Sequence, residues 1–298
     1  MNLPIDVPWR WRILLALLRR LPQGALSRLT GRLAELRVPR FLRRPYLGTL
    51  AALLGIRTEE AEHPLEDYPS LAALFVRRLR EGARPIAADA EALLSPVDGI
   101  VGEVGRLEWG RLVQAKGRDY SAAGLLDDGT GAERYASGTF ITIYLSPRHY
   151  HRIHAPCGGT VSEARHVPGA LMPVNQPSLL LTPELFPRNE RLVAMIEGPL
   201  GHVALVAVGA FNVGRISAAF DPEWNEATGA VTNRRDRLSS ETRRYDPPRR
   251  VRQGDEFMAF HLGSTVVLLL EPGRVEPLSE VIPGVEVRVG QCIARSLG

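Results

Sequence analysis

"FHLGSTVVLLLE", residues Phe260–Glu271, turns at a glycine and then runs through Thr265, two valines and three leucines. A run this short, rich in β-branched and apolar residues, predicts a strand buried on both faces. Gly263 supplies a tight corner, and the Ser264 and Thr265 hydroxyls can satisfy main-chain groups where the strand begins. Outward from this stretch the same pattern recurs from Leu93 onward, in "GIVGEV", "TFITIYL", "GTVSEARHV" and "HVALVAVGAFNVGRI", each bounded by Gly or Pro. No helix-sized segments alternate with these runs, which disfavours a doubly wound parallel sheet. The expected fold is α+β: a helical region over residues 1–85, then a mainly antiparallel β core over 86–298. Residues 221–252 are polar, with eight arginines after Asn233, and are expected to form an exposed irregular loop.

The chain has 298 residues, 45% hydrophobic and 23% charged, enough for one large core or two modest ones. Its two cysteines, Cys157 and Cys292, are far apart and form no CxxC pair, so a disulfide framework or cysteine-rich zinc site is not expected. The net charge of +4 conceals an asymmetry: residues 1–50 carry ten arginines against Asp6 and Glu35, whereas the remainder is mildly acidic. That distribution argues against a nucleic-acid groove and for an anionic surface met by one end.

The basic end begins "WRWRILLALLRRLPQ" at Trp9, with arginines interleaved among apolar residues at helical spacing. Its longest wholly apolar run, Ile13 to Leu18, is far below the ~20 residues that a spanning helix needs. Arg19 and Arg20 end the apolar segment early and no A-x-A site follows, so a secretory signal is not expected. The pattern fits an amphipathic helix lying in a membrane interface, Trp9 and Trp11 at headgroup depth; the competing reading packs it on the protein's own core. A further helix is expected in residues 65–86, "LEDYPSLAALFVRRLREGARPI", entered at Ser70 and stopped by Gly82 and Pro85.

Three of the seven histidines crowd "YLSPRHYHRIHAP": His149, His151 and His154. Zinc binding would need further ligands, but no HExxH or carboxylate cluster accompanies them, and Pro147 and Pro156 make the segment a turn; no metal site is expected. Acid–base work suits them better, because imidazole changes charge near neutral pH and can activate a hydroxyl when a carboxylate orients its other nitrogen. Asp98, in "LLSPVDGIV", is the candidate carboxylate and Ser264 the candidate hydroxyl. A serine hydrolase could use the same three residues, but the G-x-S-x-G elbow is missing and no helix is expected after Ser264. A noncatalytic membrane-bound β domain would leave the histidine cluster unexplained.

The segments "SPVDG", "QAKGRDYS", "YLSPRHYHRIHAP", "VPGALMPVN", "VGAFNVG" and "GDEFMAFHLGSTVV" occur in an order and spacing that resembles the phosphatidylserine decarboxylase precursors of bacteria and mitochondria. The resemblance runs from about Pro69 to the C-terminus, with His149 standing where the family commonly has Asp. It implies a precursor that cuts itself between Gly263 and Ser264: Ser264 Oγ attacks the Gly263 carbonyl, and His154, oriented by Asp98, takes the hydroxyl proton. Elimination and loss of ammonia would then leave a pyruvoyl cofactor in place of Ser264, heading a 35-residue α chain beside a β chain of residues 1–263. The implied reaction is decarboxylation of phosphatidylserine to phosphatidylethanolamine, with His151 as the proton donor. The only lysine, Lys116, would contact a phosphate or carboxylate, or sit on the surface. The implied location is peripheral, on the cytoplasmic face of the bacterial inner membrane. Assembly into a homo-oligomer is left open by the sequence.

Overall fold

A computed structural model describes residues 7–87, 89–115, 118–211, 215–226, 232, 239–261 and 264–298. Three helices lead: α1 (Trp9–Arg20), α2 (Gln23–Glu35) and α3 (Arg40–Leu54). Each starts directly after a proline, Pro8, Pro22 and Pro39, whose fixed φ suits a helix start and which lacks the N–H that would go unpaired there. Gly55 closes α3 in the left-handed conformation, φ 68°, which glycine adopts without a Cβ penalty. Leu15 of α1 is buried in the main core, while Leu47 and Ala51 of α3 join Ile56, Tyr68, Leu74 and Phe75 in a second, smaller core.

The helix expected within residues 65–86 is much shorter than its pattern suggests. Ser70 caps a single turn and a half, α4 (Leu71–Phe75), by accepting the Ala73 amide at 3.2 Å. Beyond it the chain extends and pairs with a segment far away in sequence: Ala61 bridges Leu79, Glu62 N donates to Arg78 O, and Arg80 N to Glu60 O. Once the main chain has these partners a helix is no longer needed to satisfy it.

The principal sheet has eight strands, all neighbours antiparallel, in the order Glu241–Val251, Gly159–Val167, Arg191–Gly198, Gly201–Val208, Thr265–Leu270, Thr139–Tyr144, Gly99–Arg106, Glu286–Val287. Thr265–Leu270 lies inside it, paired over all six residues with Val203–Val208 on one side and Thr139–Tyr144 on the other. All six are buried, as a strand covered on both faces requires. Two three-stranded sheets flank it: Ala92–Leu94 with Cys292–Ser296 and Val275–Pro277, and Ile216–Ala218 with Glu256–Phe260 and Arg152–His154.

The expected loop over residues 221–252 is corrected in its described parts. Glu241–Val251 is the edge strand of the principal sheet, with a register break between Arg244 and Arg249 that takes up Pro247 and Pro248. Its exposed Arg244, Asp246, Arg249 and Arg250, with the two prolines, are what an edge uses to avoid pairing with another chain. Within residues 221–226, Asp221 and Trp224 are buried: Asp221 accepts the amides of Glu223 and Trp224 and the hydroxyl of Tyr245, and pairs with Arg243.

Candidate active site

Ser264 stands at the mouth of the central strand, fully buried. Its carbonyl accepts the Leu145 amide at 2.7 Å, and its Oγ has no hydrogen-bond partner among the described residues. Gly263 and Lys116 lie outside those residues. A buried hydroxyl without a partner carries a desolvation cost of about 1–3 kcal/mol. Such a group is expected where chemistry rather than packing has kept it.

The histidine segment reaches the site by two routes. Arg152–His154 pairs with Glu256–Phe260, the strand that leads toward Ser264, and the His154 amide donates to Pro96 O at 2.7 Å, two residues before Asp98. The His154 ring is fixed at both nitrogens. Nδ1 lies 2.7 Å from the Gly254 carbonyl, which can only accept, so Nδ1 carries the proton. Nε2 therefore keeps its lone pair and accepts the Tyr150 hydroxyl at 3.2 Å. Burial pushes the His154 pKa down, opposed by the bond to Gly254, so the ring is a neutral base at pH 7.

The structure joins Asp98 to other partners than those the sequence suggests. Its carboxylate is gripped by Arg84, with Nε 2.9 and 3.0 Å from the two oxygens and Nη2 2.5 Å from Oδ2, and it accepts the Val289 amide at 2.9 Å. Among the described residues no hydrogen bond links Asp98 to His154 or His154 to Ser264; the Gly254 carbonyl, instead of a carboxylate, orients the imidazole. No residue pattern announces that role, since every residue has a carbonyl. Tyr150, by contrast, sits within the histidine cluster itself.

His151 is fully buried, its ring against Phe75 with centroids 5.2 Å apart and neither nitrogen bonded to another described residue. Burial, reinforced by the nearby Arg77 and His149, lowers its pKa to about 3. It is neutral at pH 7, able to receive a proton rather than holding one in readiness. His149 helps to hold the turn before it. Its Nδ1 accepts the Ser146 amide at 2.9 Å, the acceptor role an aspartate could fill in the same turn.

A cavity of about 490 Å³ opens between the helices and the sheet, lined by Leu33, Leu54, Phe75, Tyr144, Leu145 and Phe211 among others. Phe75 lies against His151 and Leu145 holds the Ser264 carbonyl, so the cavity adjoins both residues. Among the described residues no group of three His, Cys, Asp or Glu side chains is placed to hold a metal ion, and no helix is long and apolar enough to cross a membrane.

The family model described as phosphatidylserine decarboxylase matches residues 71–295. The chain belongs to the phosphatidylserine decarboxylase family. It is 46% identical over 282 residues to the phosphatidylserine decarboxylase proenzyme of Anaeromyxobacter sp. (strain K), covering 94% of this chain and 97% of that one. The proenzymes of Myxococcus xanthus (strain DK1622) and Halorhodospira halophila (strain DSM 244 / SL1) are 40% and 42% identical over 93% and 92% of the chain. Membership in this decarboxylase family makes the chain an enzyme of the carboxy-lyase class.

Proposed function

We propose that the chain cuts itself between Gly263 and Ser264 and then decarboxylates phosphatidylserine to phosphatidylethanolamine and carbon dioxide, a step of phospholipid synthesis. The observation that carries the reading is Ser264: a buried hydroxyl, without a hydrogen-bond partner among the described residues, at the start of a strand locked on both sides. In the first step Ser264 Oγ bonds to the Gly263 carbonyl carbon while the Gly263–Ser264 C–N bond breaks. His154 Nε2 takes the hydroxyl proton and returns it to the departing amine, which requires its bond from Tyr150 to be exchanged for one from Ser264. Asp98 supplies negative charge near the imidazolium that forms. Removal of the Ser264 α-proton then expels the Gly263 carboxylate, and water replaces the resulting enamine nitrogen, which leaves as ammonia. The paired strand that begins at Thr265 restricts where Ser264 Oγ can go, and such preorganisation is worth several kcal/mol.

The remaining carbonyl pair, a pyruvoyl group, would supply the electron sink for decarboxylation. Ser264's place fits such a group, because the side chain there is fully buried and makes no hydrogen bond to another described residue. The chain's own contribution is proton handling. His151 is assigned the proton that replaces carbon dioxide on the substrate carbon; because burial and Arg77 lower its pKa in the free enzyme, the negative charge of the bound substrate has to raise it before the ring can carry that proton.

Docking at an anionic membrane accounts for the N-terminal helices. Trp9 is 73% exposed, Phe41 80% and Leu53 76%, and Ile13, Leu17, Leu29 and Leu33 are exposed with them, beside the ten arginines of this end. Apolar side chains in solvent next to basic ones suit an interface of acyl chains and anionic headgroups. The apolar cavity lined by residues of α2 and α3 also touches Leu145, whose amide donates to the Ser264 carbonyl. On this reading the helical region of residues 1–85 delivers lipid to a catalytic region of residues 86–298.

Intact-mass measurement of the purified protein, combined with carbon dioxide release from phosphatidylserine, tests the proposal. Two chains, of residues 1–263 and of 35 residues with a modified N-terminus, are expected; Ser264→Ala should give one chain and no release. Cleavage of Ser264→Ala at the same bond would overturn the assignment.

A further inference from the structure

The carboxylate assigned to self-cleavage is held by a side chain outside the histidine cluster. Arg84 and Asp98 are both nearly buried, and besides its three contacts to Asp98 the guanidinium donates through Nη2 to Glu60 Oε2 at 2.7 Å and through Nη1 to Ala83 O at 2.6 Å. Glu60 is held in turn: Arg80 N donates to its carbonyl, and Ala61 bridges Leu79 beside it. Arg57 lies 4.0 Å from its other oxygen. A second guanidinium, Arg77, is buried nearby, donating to Leu74 O at 3.4 Å, and Asp98 and Glu60 are among the charges that stabilise it. Asp98 and Glu60 thus share Arg84 between them, with Asp98 and the Arg84 guanidinium largely shielded from solvent, where an unpaired charge would be expensive.

Asp98 is fixed from both sides. The Val289 amide takes one oxygen, Arg84 takes both, and the turn that carries Asp98 is anchored to the His154 main chain through Pro96. A planar guanidinium fork sets the plane of a carboxylate as well as its charge, which a lysine ammonium does not. We infer that Arg84 is a positioning residue for self-cleavage, acting through Asp98, and that Glu60, from the helical region, completes the device by fixing Arg84. The inference rests on the assignment of Asp98 and His154 to that reaction. It gives residues 57–84 a part in maturation that is separate from any contact with lipid.

The test is the first-order rate of self-cleavage in full-length Arg84→Gln, Arg84→Lys, Glu60→Gln and Asp98→Asn, followed by pulse-chase. Each substitution is also placed in the uncut Ser264→Ala chain to compare protease resistance and thermal unfolding. Arg84→Gln should cleave at least tenfold more slowly than the parent, Arg84→Lys should recover part of that loss, and Glu60→Gln should slow cleavage several-fold while the uncut chain remains folded. A folded Arg84→Gln chain that cleaves at the parental rate overturns the inference, as does Arg84→Lys cleaving no faster than Arg84→Gln. Should Arg84→Gln fail to fold, Glu60→Gln decides: slowed cleavage supports the device and parental cleavage refutes it. Asp98→Asn separates the role of the carboxylate from that of its holder. If it is folded and cleaves normally, the assignment of Asp98 itself fails; if it is slow while Arg84→Gln is normal, only the role of Arg84 falls.

Discussion

His154 and Gly254 are joined by a 2.7 Å hydrogen bond from imidazole Nδ1 to a main-chain carbonyl, and that bond decides which nitrogen of the ring can act as a base. The basic nitrogen, Nε2, is occupied by the Tyr150 hydroxyl. A neutral hydrogen bond of this kind is worth about 1 kcal/mol net, so exchanging it for one from Ser264 is a modest part of a cleavage barrier. Tyr150→Phe should therefore mature faster than the parent, by roughly fivefold if the whole of that ~1 kcal/mol is released. Cleavage kinetics after synthesis in a cell-free system would measure it. A Phe variant that is slower would mean that the hydroxyl assists the reaction.

His151→Ala should cut itself but release carbon dioxide at least a hundredfold more slowly, the usual scale for losing a positioned acid–base group. With its pKa lowered to about 3 by burial, first of all, and by Arg77 and His149, the parental ring stays neutral from pH 5 to pH 9. The profile of kcat/KM against pH should accordingly lack a His151-dependent break near pH 6.5. Finding one that disappears in the alanine variant would show that the ring is charged in the free enzyme. Failure of the variant to cleave would instead place His151 in maturation.

Acid should unfold the protein early. His151 and His261 both have pKa values lowered to about 3 by burial, against an ordinary value of 6.5, so between pH 6.5 and 3 the unfolded chain binds protons that the native one does not. Stability from these two rings is complete above pH 6.5 and falls as pH drops through that window. By pH 5 the loss is on the order of 2 kcal/mol for each ring. Thermal unfolding of the uncut Ser264→Ala chain at pH 7 and pH 5 should show it, with His261→Asn removing the share of the difference, on the order of 2 kcal/mol, that this ring contributes. An unchanged midpoint would mean that the rings are hydrated.

Changing Arg10, Arg12, Arg20, Arg28 and Arg32 to glutamine should weaken binding to anionic vesicles by orders of magnitude, since each basic residue near such a surface contributes about 1 kcal/mol. Turnover of a short-chain, water-soluble phosphatidylserine should persist. Substitution is a cleaner probe than deleting residues 1–45, because Leu15 is part of the main core and Gln23 receives the Leu171 amide. Flotation across a salt series should show the parent losing affinity as screening increases. Equal binding by parent and variant at a salt concentration where the parent is half bound would refute the interfacial reading.

What can be read in advance is what local pattern determines. The Val- and Leu-rich runs around Leu268 and Leu205 announce buried strands because burial on both faces leaves no polar alternation to hide them. The strand Glu241–Val251 escapes such a reading because an edge is paired on one side only, and its Arg and Pro content resembles a loop. Leu71–Phe75 is overextended for the opposite reason: the residues after it look helical, but distant Glu60 and Glu62 supply their main-chain partners. The histidine cluster, Asp98 and Ser264 stand out by residue type. Arg84, Glu60 and the Gly254 carbonyl do not, because a buried arginine and a surface one are written with the same letter.

The pairing of Thr265–Leu270 with strands on both sides has a consequence for how the enzyme can be lost. The proposed cut before Ser264 would leave a 35-residue piece whose other segments are also woven in, Cys292–Ser296 beside Ala92–Leu94 and Glu286–Val287 beside Gly99–Arg106. Burial of the five apolar side chains from Val266 to Leu270 contributes on the order of 10 kcal/mol, enough to keep the piece seated without a peptide bond. Unfolding nevertheless changes its molecularity. The uncut chain folds from one molecule at a rate independent of dilution, whereas the cut enzyme must bring two polypeptides together, and its unfolding midpoint should rise with protein concentration. Dilution after denaturation should therefore return the precursor and strand the mature enzyme as separated chains.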